Sequence, residues 1–139
     1  MAEIILDFFY AHPEARVWRG LTDSAQVAQW LMENDVVPRP GHRFRLRPVG
    51  LPGLDGLLHA DVVRVDVGRA LEMIWTAADL HLGVVWRLHP VPGGTVVEVL
   101  VTGYLGPGGH TRREQLGGAL RTAFADRLPA VLAGGRLPG

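Results

Sequence analysis

The residues that could do chemistry in this 139-residue chain are few and scattered. His59 and Asp61 are two positions apart, so on a strand they would share one face and could form an acid/base pair. The same spacing also arises by chance on a solvated strand face, and both interpretations stay open. Arg87 is a third polar candidate, but its alternation with apolar neighbours places it on the side opposite to them.

Several catalytic and metal-binding classes lack the residues they need. The chain has no cysteine, which excludes a disulfide, a thiol nucleophile, an iron–sulfur cluster and a zinc finger. Its one serine, Ser24, is explained by helix capping, and the six histidines show no convincing ligand spacing. Neither a phosphate loop nor a dinucleotide-binding motif occurs. We therefore predict no catalytic residue, no metal and no cofactor, and whether the protein is an enzyme stays open.

Charge is balanced, with 14 arginines and no lysine against 14 acidic side chains. A neutral chain lacks the electrostatic attraction that sequence-independent nucleic-acid binding needs, so no nucleic-acid partner is expected. Arg43, Arg45 and Arg47, which follow Arg39, would project from one side of a strand; we call these three the arginine ridge. The ridge could meet an anionic partner, but we favour a solvated strand face whose like charges discourage edge pairing.

Alternation of apolar and polar residues predicts a sheet of six strands. We place the strands at Glu3–Tyr10, from Arg43 onward, and at Leu57–Val67, Ala70–Thr76, Val84–His89 and Thr95–Tyr104. Short links such as Pro92-Gly93-Gly94 imply an antiparallel meander.

Two short helices are expected after the first strand. Pro13 fits the first position of one helix, where its missing N–H needs no partner. Asp23 and Gln26 have the spacing of a capping box at the start of the next helix.

A long final helix is indicated by apolar residues that recur every four positions. Thr111 and Glu114 have capping-box spacing near its start. Gly117-Gly118 and Pro129 interrupt the pattern, either because the helix bends over the sheet or because the glycines leave room for something beside it. The recurring apolar positions are Leu116, Leu120, Phe124, Leu128 and Leu132.

The order of these elements resembles the helix-grip fold of START-like (SRPBCC) proteins. Several motifs are similar to the branch related to the activator of Hsp90 ATPase, whose bacterial members include polyketide cyclase-like proteins. These motifs are Pro13-Glu14-Ala15-Arg16-Val17-Trp18, Leu21-Thr22-Asp23, Trp30, Pro40-Gly41 before Phe44, Gly68-Arg69-Ala70-Leu71 leading to Trp75, Val84 to Leu88, and Gly94-Thr95. The resemblance implies a single α+β domain over residues 1–139, with a six-stranded antiparallel sheet, two short helices and a long C-terminal helix packed over the sheet.

The resemblance also implies a ligand between the sheet and the C-terminal helix. The side chains expected to face that space are Trp30, Phe44, Met73, Trp75, Val84, Trp86, Val99, Val101, Leu116, Leu120 and Phe124. They could equally fill the space as an ordinary core. Related proteins often carry a Gly-Trp pair near the start of the final helix and an aromatic residue after the tryptophan of the second helix. Gly117-Gly118 and Leu31 stand at these positions, and this loss of bulk implies a cavity wider than usual.

Three classes of function follow from the resemblance. The first is binding of a hydrophobic or aromatic small molecule. The second is a polyketide cyclase or aromatase-like enzyme, with a variant in which a self-resistance protein sequesters a toxic natural product. The third is a co-chaperone-like interaction module, and a homodimer stays open. The acidic N-terminal start is unlike a secretory signal, so with no membrane span we expect a cytoplasmic protein, and the GC-rich codon bias that the composition suggests is typical of bacteria.

Overall fold

A seven-stranded antiparallel sheet forms one layer of this α+β fold. The computed structural model describes residues 2–47, 58–77 and 79–134. The strands are β1 (Ala2–Tyr10), β2 (Glu33–Asn34), β3 (Arg43–Arg47), β4 (Leu58–Asp66), β5 (Ala70–Ala77), β6 (Leu80–Val91) and β7 (Gly94–Tyr104). The helices are α1 (Glu14–Thr22), α2 (Ser24–Trp30), α3 (Gly109–Thr122) and α4 (Leu128–Leu132), with a π-helical turn at Ala123–Arg127 between the last two.

The strand order is β1-β7-β6-β5-β4-β3-β2, so the predicted meander is confirmed and β1 closes back onto β7. The predicted number of six strands is wrong by one, because β2 also joins the sheet. Glu33 and Asn34 of β2 pair with Arg47 and Leu46. A strand of two residues is too short to show a period of two, so it could not be predicted from the pattern. Leu57, predicted as the start of a strand, lies outside the described residues.

The predicted alternation of buried and more exposed residues is present in β3, β5, β6 and β7. Met73 and Trp75 on β5 are buried, and so are Val84 and Trp86 on β6. The opposite face meets solvent, where Arg87 and His89 approach the carboxylate of Glu98 at 3.7 and 3.6 Å. The buried face is covered by the helices, so the core lies between the sheet and the helical layer.

The two short helices form as expected, with one difference at the first. Pro13 is the residue before α1 rather than its first residue. The carboxylate of Asp23 accepts a hydrogen bond from the main-chain N–H of Gln26 at 3.3 Å, which caps α2. The indole N–H of Trp30, at the end of α2, donates to the carbonyl of Gly20 at 2.7 Å and fixes the two helices against each other.

The C-terminal helical segment runs from Gly109 to Leu132 and is interrupted once. The capping box predicted for Thr111 and Glu114 is wrong: the helix begins at Gly109, after Gly108 in the left-handed conformation at φ 72°. Gly117 and Gly118 lie within regular α-helix. Pro129 does interrupt it, because its ring and missing N–H are incompatible with the preceding turn, which widens to a π-helical one.

Candidate functional site

A small cavity of about 10 Å³ lies between the two short helices and the β3–β6 half of the sheet. This volume is close to the least that holds one water molecule. The surface that its described lining presents to the cavity is apolar. The lining residues are Leu21, Val27, Leu31, Val36, Phe44, Leu46, Leu71, Met73, Trp75 and Trp86.

An aromatic cluster fills the space beneath the C-terminal helical segment. Phe124 projects from the π-helical turn and is fully buried. Its ring centroid lies 4.7 Å from that of Trp30, 5.8 Å from that of Trp86 and 5.3 Å from that of Phe8. Aromatic pairs at these separations add stability beyond their buried area. The interior therefore packs tightly below Phe124, and the cavity lies to one side of it.

The eleven predicted site residues are all buried, but only four of them line the cavity. These four are Phe44, Met73, Trp75 and Trp86. The other seven pack in the core outside the described lining: Trp30, Val84, Val99, Val101, Leu116, Leu120 and Phe124.

Six lining residues are absent from the eleven predicted ones, although one of them, Leu31, was expected to affect the width of the cavity. Leu71 and Leu46 share their strand faces with residues that were predicted, so the alternation could have identified them. Val27 lies on the buried side of α2, and Leu31 and Val36 follow that helix. Val27, Leu31 and Val36 could have been identified because they lie close in sequence to Trp30. The prediction instead placed the helical side of the site mainly on the final helix.

Two of the lining residues, Trp75 and Trp86, have indole N–H groups that differ from that of Trp30. Trp75 and Trp86 are 1% and 3% exposed, and neither nitrogen has a hydrogen-bond partner among the described residues. Trp30, by contrast, donates to Gly20. Leaving a buried donor without a partner costs about 1–3 kcal/mol. Each of these two nitrogens is therefore an unfavourable feature of the packed interior.

The glycine pair does not enlarge this cavity. A Cβ atom added at Gly117 or Gly118 would meet no atom of the described residues within 4 Å. Both glycines instead line an open surface groove of about 270 Å³ between β1 and α3, together with Arg113 and Arg121. The expectation of a wider interior cavity is therefore wrong at Gly117-Gly118. Leu31 does line the cavity, as that expectation required.

His59 and Asp61 lie on the solvent-facing side of β4, away from the cavity. Asp61 forms an ion pair with Arg43 at 3.5 Å. His59 stands between Arg45 and Thr76 in the strand register. The predicted shared face is confirmed, but it is the face turned away from the interior, so this pair has no access to a molecule in the cavity.

The arginine ridge is neutralised by neighbouring carboxylates. Arg43 pairs with Asp61 at 3.5 Å, Arg45 with Asp35 at 3.6 Å and Arg47 with Glu33 at 3.9 Å. These side chains are more than 40% exposed, and exposed pairs of this kind contribute little to stability. The ridge is a solvated, charge-balanced strand face, as favoured from the sequence.

The chemical capacity of the cavity is limited to apolar contact. Its described lining contains no ionisable side chain. Within residues 2–47, 58–77 and 79–134, no group of three or more His, Asp or Glu side chains could hold a metal ion. No helix in those ranges is long and apolar enough to cross a membrane.

The curled antiparallel sheet and the long C-terminal helical segment packed on it define a START-like protein with the helix-grip fold. The model of the activator of Hsp90 ATPase homolog 1-like family matches residues 11–132. The chain belongs to that family.

Solved structures show the same fold. The protein MLL2253 from Mesorhizobium loti is 29% identical with a TM-score of 0.79, and the match covers 98% of this chain and all of that one. CalU16 from Micromonospora echinospora is 22% identical with a TM-score of 0.75, over 98% of this chain and 77% of its own. DynU16, from the dynemicin biosynthetic locus, is also 22% identical with a TM-score of 0.75; the match covers 96% of this chain but only 48% of DynU16. Comparison with curated proteins finds no significant match.

Proposed function

We propose that the protein binds an apolar or aromatic small molecule at the cavity beside Trp75 and Trp86. The observation that carries this proposal is the position of the cavity beside a closely packed aromatic cluster. Beneath the C-terminal helical segment Phe124 fills the core, whereas beneath α2 and the residues after it the packing leaves space. Well-packed interiors contain few such voids, and one lined by large apolar side chains favours an apolar guest.

A guest larger than a water molecule enters by displacing lining side chains. Met73 is suited to this, because methionine is unbranched and its three rotatable bonds let it fit an irregular space. Leu31 and Val36 belong to the cover of the cavity outside the sheet, so they can shift without breaking strand pairing. A molecule that buries about 300 Å² of apolar surface gains about 7.5 kcal/mol before the entropy of association is counted, which makes micromolar binding reasonable.

The chemistry of the lining supports a binding role without catalysis. General acid or base catalysis needs a titratable group within hydrogen-bond reach of the substrate. Among the described lining residues none is titratable in the physiological range. The cyclase-like alternative would require such a group at the cavity, and His59 and Asp61 lie on the other side of the sheet.

The proposal is tested by titrating the protein with aromatic hydrocarbons and ketones of one to three rings while tryptophan fluorescence is recorded. We expect saturable quenching in the micromolar range, because two of the four tryptophans line the cavity. Leu31→Phe adds a ring to the lining and should weaken binding at least tenfold.

Val37→Phe is the matched control, because Val37 is 40% exposed, lies close in sequence and is outside the described lining. It should bind like the wild type. A panel that gives no saturable response, or an equal loss in the two phenylalanine variants, would refute binding at this cavity.

A further inference from the structure

Val36 marks the place where the cavity lies closest to solvent. It is 8% exposed, the highest value among the ten described lining residues, and Leu31 follows at 4%. Both residues belong to the short segment between α2 and β3. Among the described residues 35–41 Val36 alone is buried, and its neighbour Val37 is 40% exposed. The side chain of Val36 therefore forms the outer wall of the cavity at this point.

The main chain of Val36 is held by a side chain. Its N–H donates a hydrogen bond to the Oδ1 atom of Asn34 at 3.0 Å. The Nδ2 atom of Asn34 donates to the carbonyl of Ser24 at 3.1 Å and to that of Met32 at 3.0 Å. In return, the hydroxyl of Ser24 donates to the main-chain carbonyl of Asn34 at 2.8 Å. Because these bonds fix the amide group of Asn34, its Oδ1 atom is a stationary acceptor for Val36.

The residue before Val36 links it to the sheet. The N–H of Asp35 donates to the carbonyl of Arg45 at 3.4 Å, and the Oδ1 atom of Asp35 accepts from the N–H of Arg45 at 2.6 Å. Both bonds lie just beyond β2, the strand at the edge of the sheet, so they can break while β2 stays paired with β3. A few exposed hydrogen bonds of this kind are typical of segments that open locally.

We propose that residues 35–37 form a gate through which a guest enters and leaves the cavity, and that Asn34 is the positioning residue that keeps this gate closed. The gate opens when Val36 leaves the Oδ1 atom of Asn34 and Asp35 leaves the main chain of Arg45. Asn34 is outside the described lining, so it affects the guest through the position of Val36. This inference rests on the proposed binding function and adds the route that governs the rates of binding and release.

A gate controls the rates of binding and release more than the affinity. Asn34→Ala removes the acceptor for Val36, so the gate opens more often; as long as the closed state remains the main one, affinity stays nearly constant. The probes are acetophenone and naphthalene, one ketone and one hydrocarbon of the panel described above. We expect their association and dissociation rate constants to rise at least fivefold in stopped-flow fluorescence, with Kd within twofold of the wild-type value.

Thr95→Val is the matched control for a general loss of stability. The hydroxyl of Thr95 donates to the carbonyl of His12 at 2.9 Å, and the residue is buried but outside the described lining. Its substitution also removes a hydrogen bond from a side chain to the main chain. It should lower stability and leave both rate constants within twofold of the wild type.

A reversible cross-link tests the gate in the opposite direction. Asp35 and Arg45 continue the register of β2 and β3, and neighbouring residues of antiparallel strands have the Cα spacing that a disulfide needs. Because the chain contains no cysteine, Asp35→Cys combined with Arg45→Cys provides a single pair of thiols. In the oxidised form both rate constants should be at least fivefold lower than in the reduced form of the same protein. Reduction should restore them.

Hydrogen exchange measures the gate in the wild-type protein without a guest. The N–H of Val36 is bonded to Asn34, so it exchanges only when that bond breaks. Its exchange rate should not depend on urea below the unfolding transition, because a local opening exposes little surface. The N–H of Val99 lies in the middle of β7, between β1 and β6, and should exchange faster as urea is added.

The outcomes separate the gate from the binding function. If no member of the panel binds, both are refuted. If the probes bind, but neither Asn34→Ala nor the cross-link changes the rate constants, the binding function stands and the gate is overturned. Equal acceleration by Thr95→Val would overturn the gate as well, because the effect would then come from stability alone. So would exchange of the Val36 N–H only through the unfolding that exposes Val99.

Discussion

The hydroxyl of Tyr10 donates a hydrogen bond of 2.6 Å to the main-chain carbonyl of Phe124, which joins β1 to the π-helical turn 114 residues later. In that turn the N–H of Leu128 bonds to the carbonyl of Ala123. In the same pattern the carbonyl of Phe124 would accept a hydrogen bond from the N–H of residue 129, but Pro129 has no N–H. Tyr10 therefore supplies the donor that the helix lacks. Burial raises the pKa of Tyr10 above its ordinary value, so the hydroxyl stays protonated and can donate.

Removing this hydroxyl should destabilise the fold. Tyr10→Phe keeps the ring but leaves the buried Phe124 carbonyl without a donor, so we expect the free energy of unfolding to fall by about 1–3 kcal/mol. Urea denaturation measures the change. Tyr104→Phe is the control, because Tyr104 is 57% exposed and its change should stay within about 0.5 kcal/mol. Equal effects of the two substitutions would contradict this role for Tyr10.

The same account predicts that Tyr10 and Pro129 are energetically coupled. Pro129→Ala supplies an N–H to this part of the helix, which gives the carbonyls of the π-helical turn an alternative donor. In the Pro129→Ala background, Tyr10→Phe should lose no more than about half of the stability that it loses in the wild type. A double-mutant cycle measured by urea denaturation provides the value. Strictly additive effects would show that the proline does not create the need for Tyr10.

The sheet was predictable because alternation is a local signal. Met73 and Trp75 show their buried side in the sequence itself, and the structure confirms it. The edge strand β2 was not predictable, because Glu33 and Asn34 join the sheet only through the neighbouring strand β3. The π-helical turn was predicted only as an interruption at Pro129, and its hydrogen bond from Tyr10 joins residues too far apart in the sequence to be predicted from a local pattern.

The candidate site was predictable only in part. The period of the apolar residues along each strand and helix predicts which side chains point inward. All eleven predicted site residues are indeed buried. The period does not predict where these side chains fill the interior between the sheet and the helices and where they leave a cavity. That depends on how Trp30 of α2 meets Phe124 of the C-terminal segment, at 4.7 Å between ring centroids. Because this contact is made between distant parts of the chain, the shift of the cavity to the side of Leu31 followed only from the structure.

A pH-dependent contribution to stability is expected from Asp35. Its carboxylate accepts a hydrogen bond from the main-chain N–H of Arg45 at 2.6 Å, and this bond lowers the pKa of Asp35 below its ordinary value of 3.8. A carboxylate whose pKa is lower in the folded state stabilises the fold when the pH is above its unfolded-state pKa. This stabilisation is lost as the pH falls through the folded-state pKa. The stability advantage of the wild type over Asp35→Asn should therefore be full at pH 6 and reduced at pH 3.

Salt separates the two sources of this effect. The side chain of Arg45 also faces the Asp35 carboxylate, at 3.6 Å between solvent-exposed groups, and 0.5 M salt screens such a pair. The hydrogen bond to the main chain is local and should persist. Most of the difference between pH 6 and pH 3 should survive in 0.5 M sodium chloride when unfolding is followed by denaturant titration. A difference that vanishes in salt would mean that the ion pair, and not the hydrogen bond, controls Asp35.

Gly117 and Gly118 should each be replaceable by alanine with a gain in stability. Both lie inside α3, where glycine is less favourable than alanine by about 0.5–1 kcal/mol, and an added Cβ would meet no described atom within 4 Å. Gly94 is the opposite case, since a Cβ there would run into the Tyr10 carbonyl and the Phe9 ring, so Gly94→Ala should destabilise. Thermal and urea unfolding measure all three variants. If the alanines at 117 and 118 lower stability instead, the groove beside β1 is occupied in the folded protein, and the view of these glycines as open helix surface is wrong.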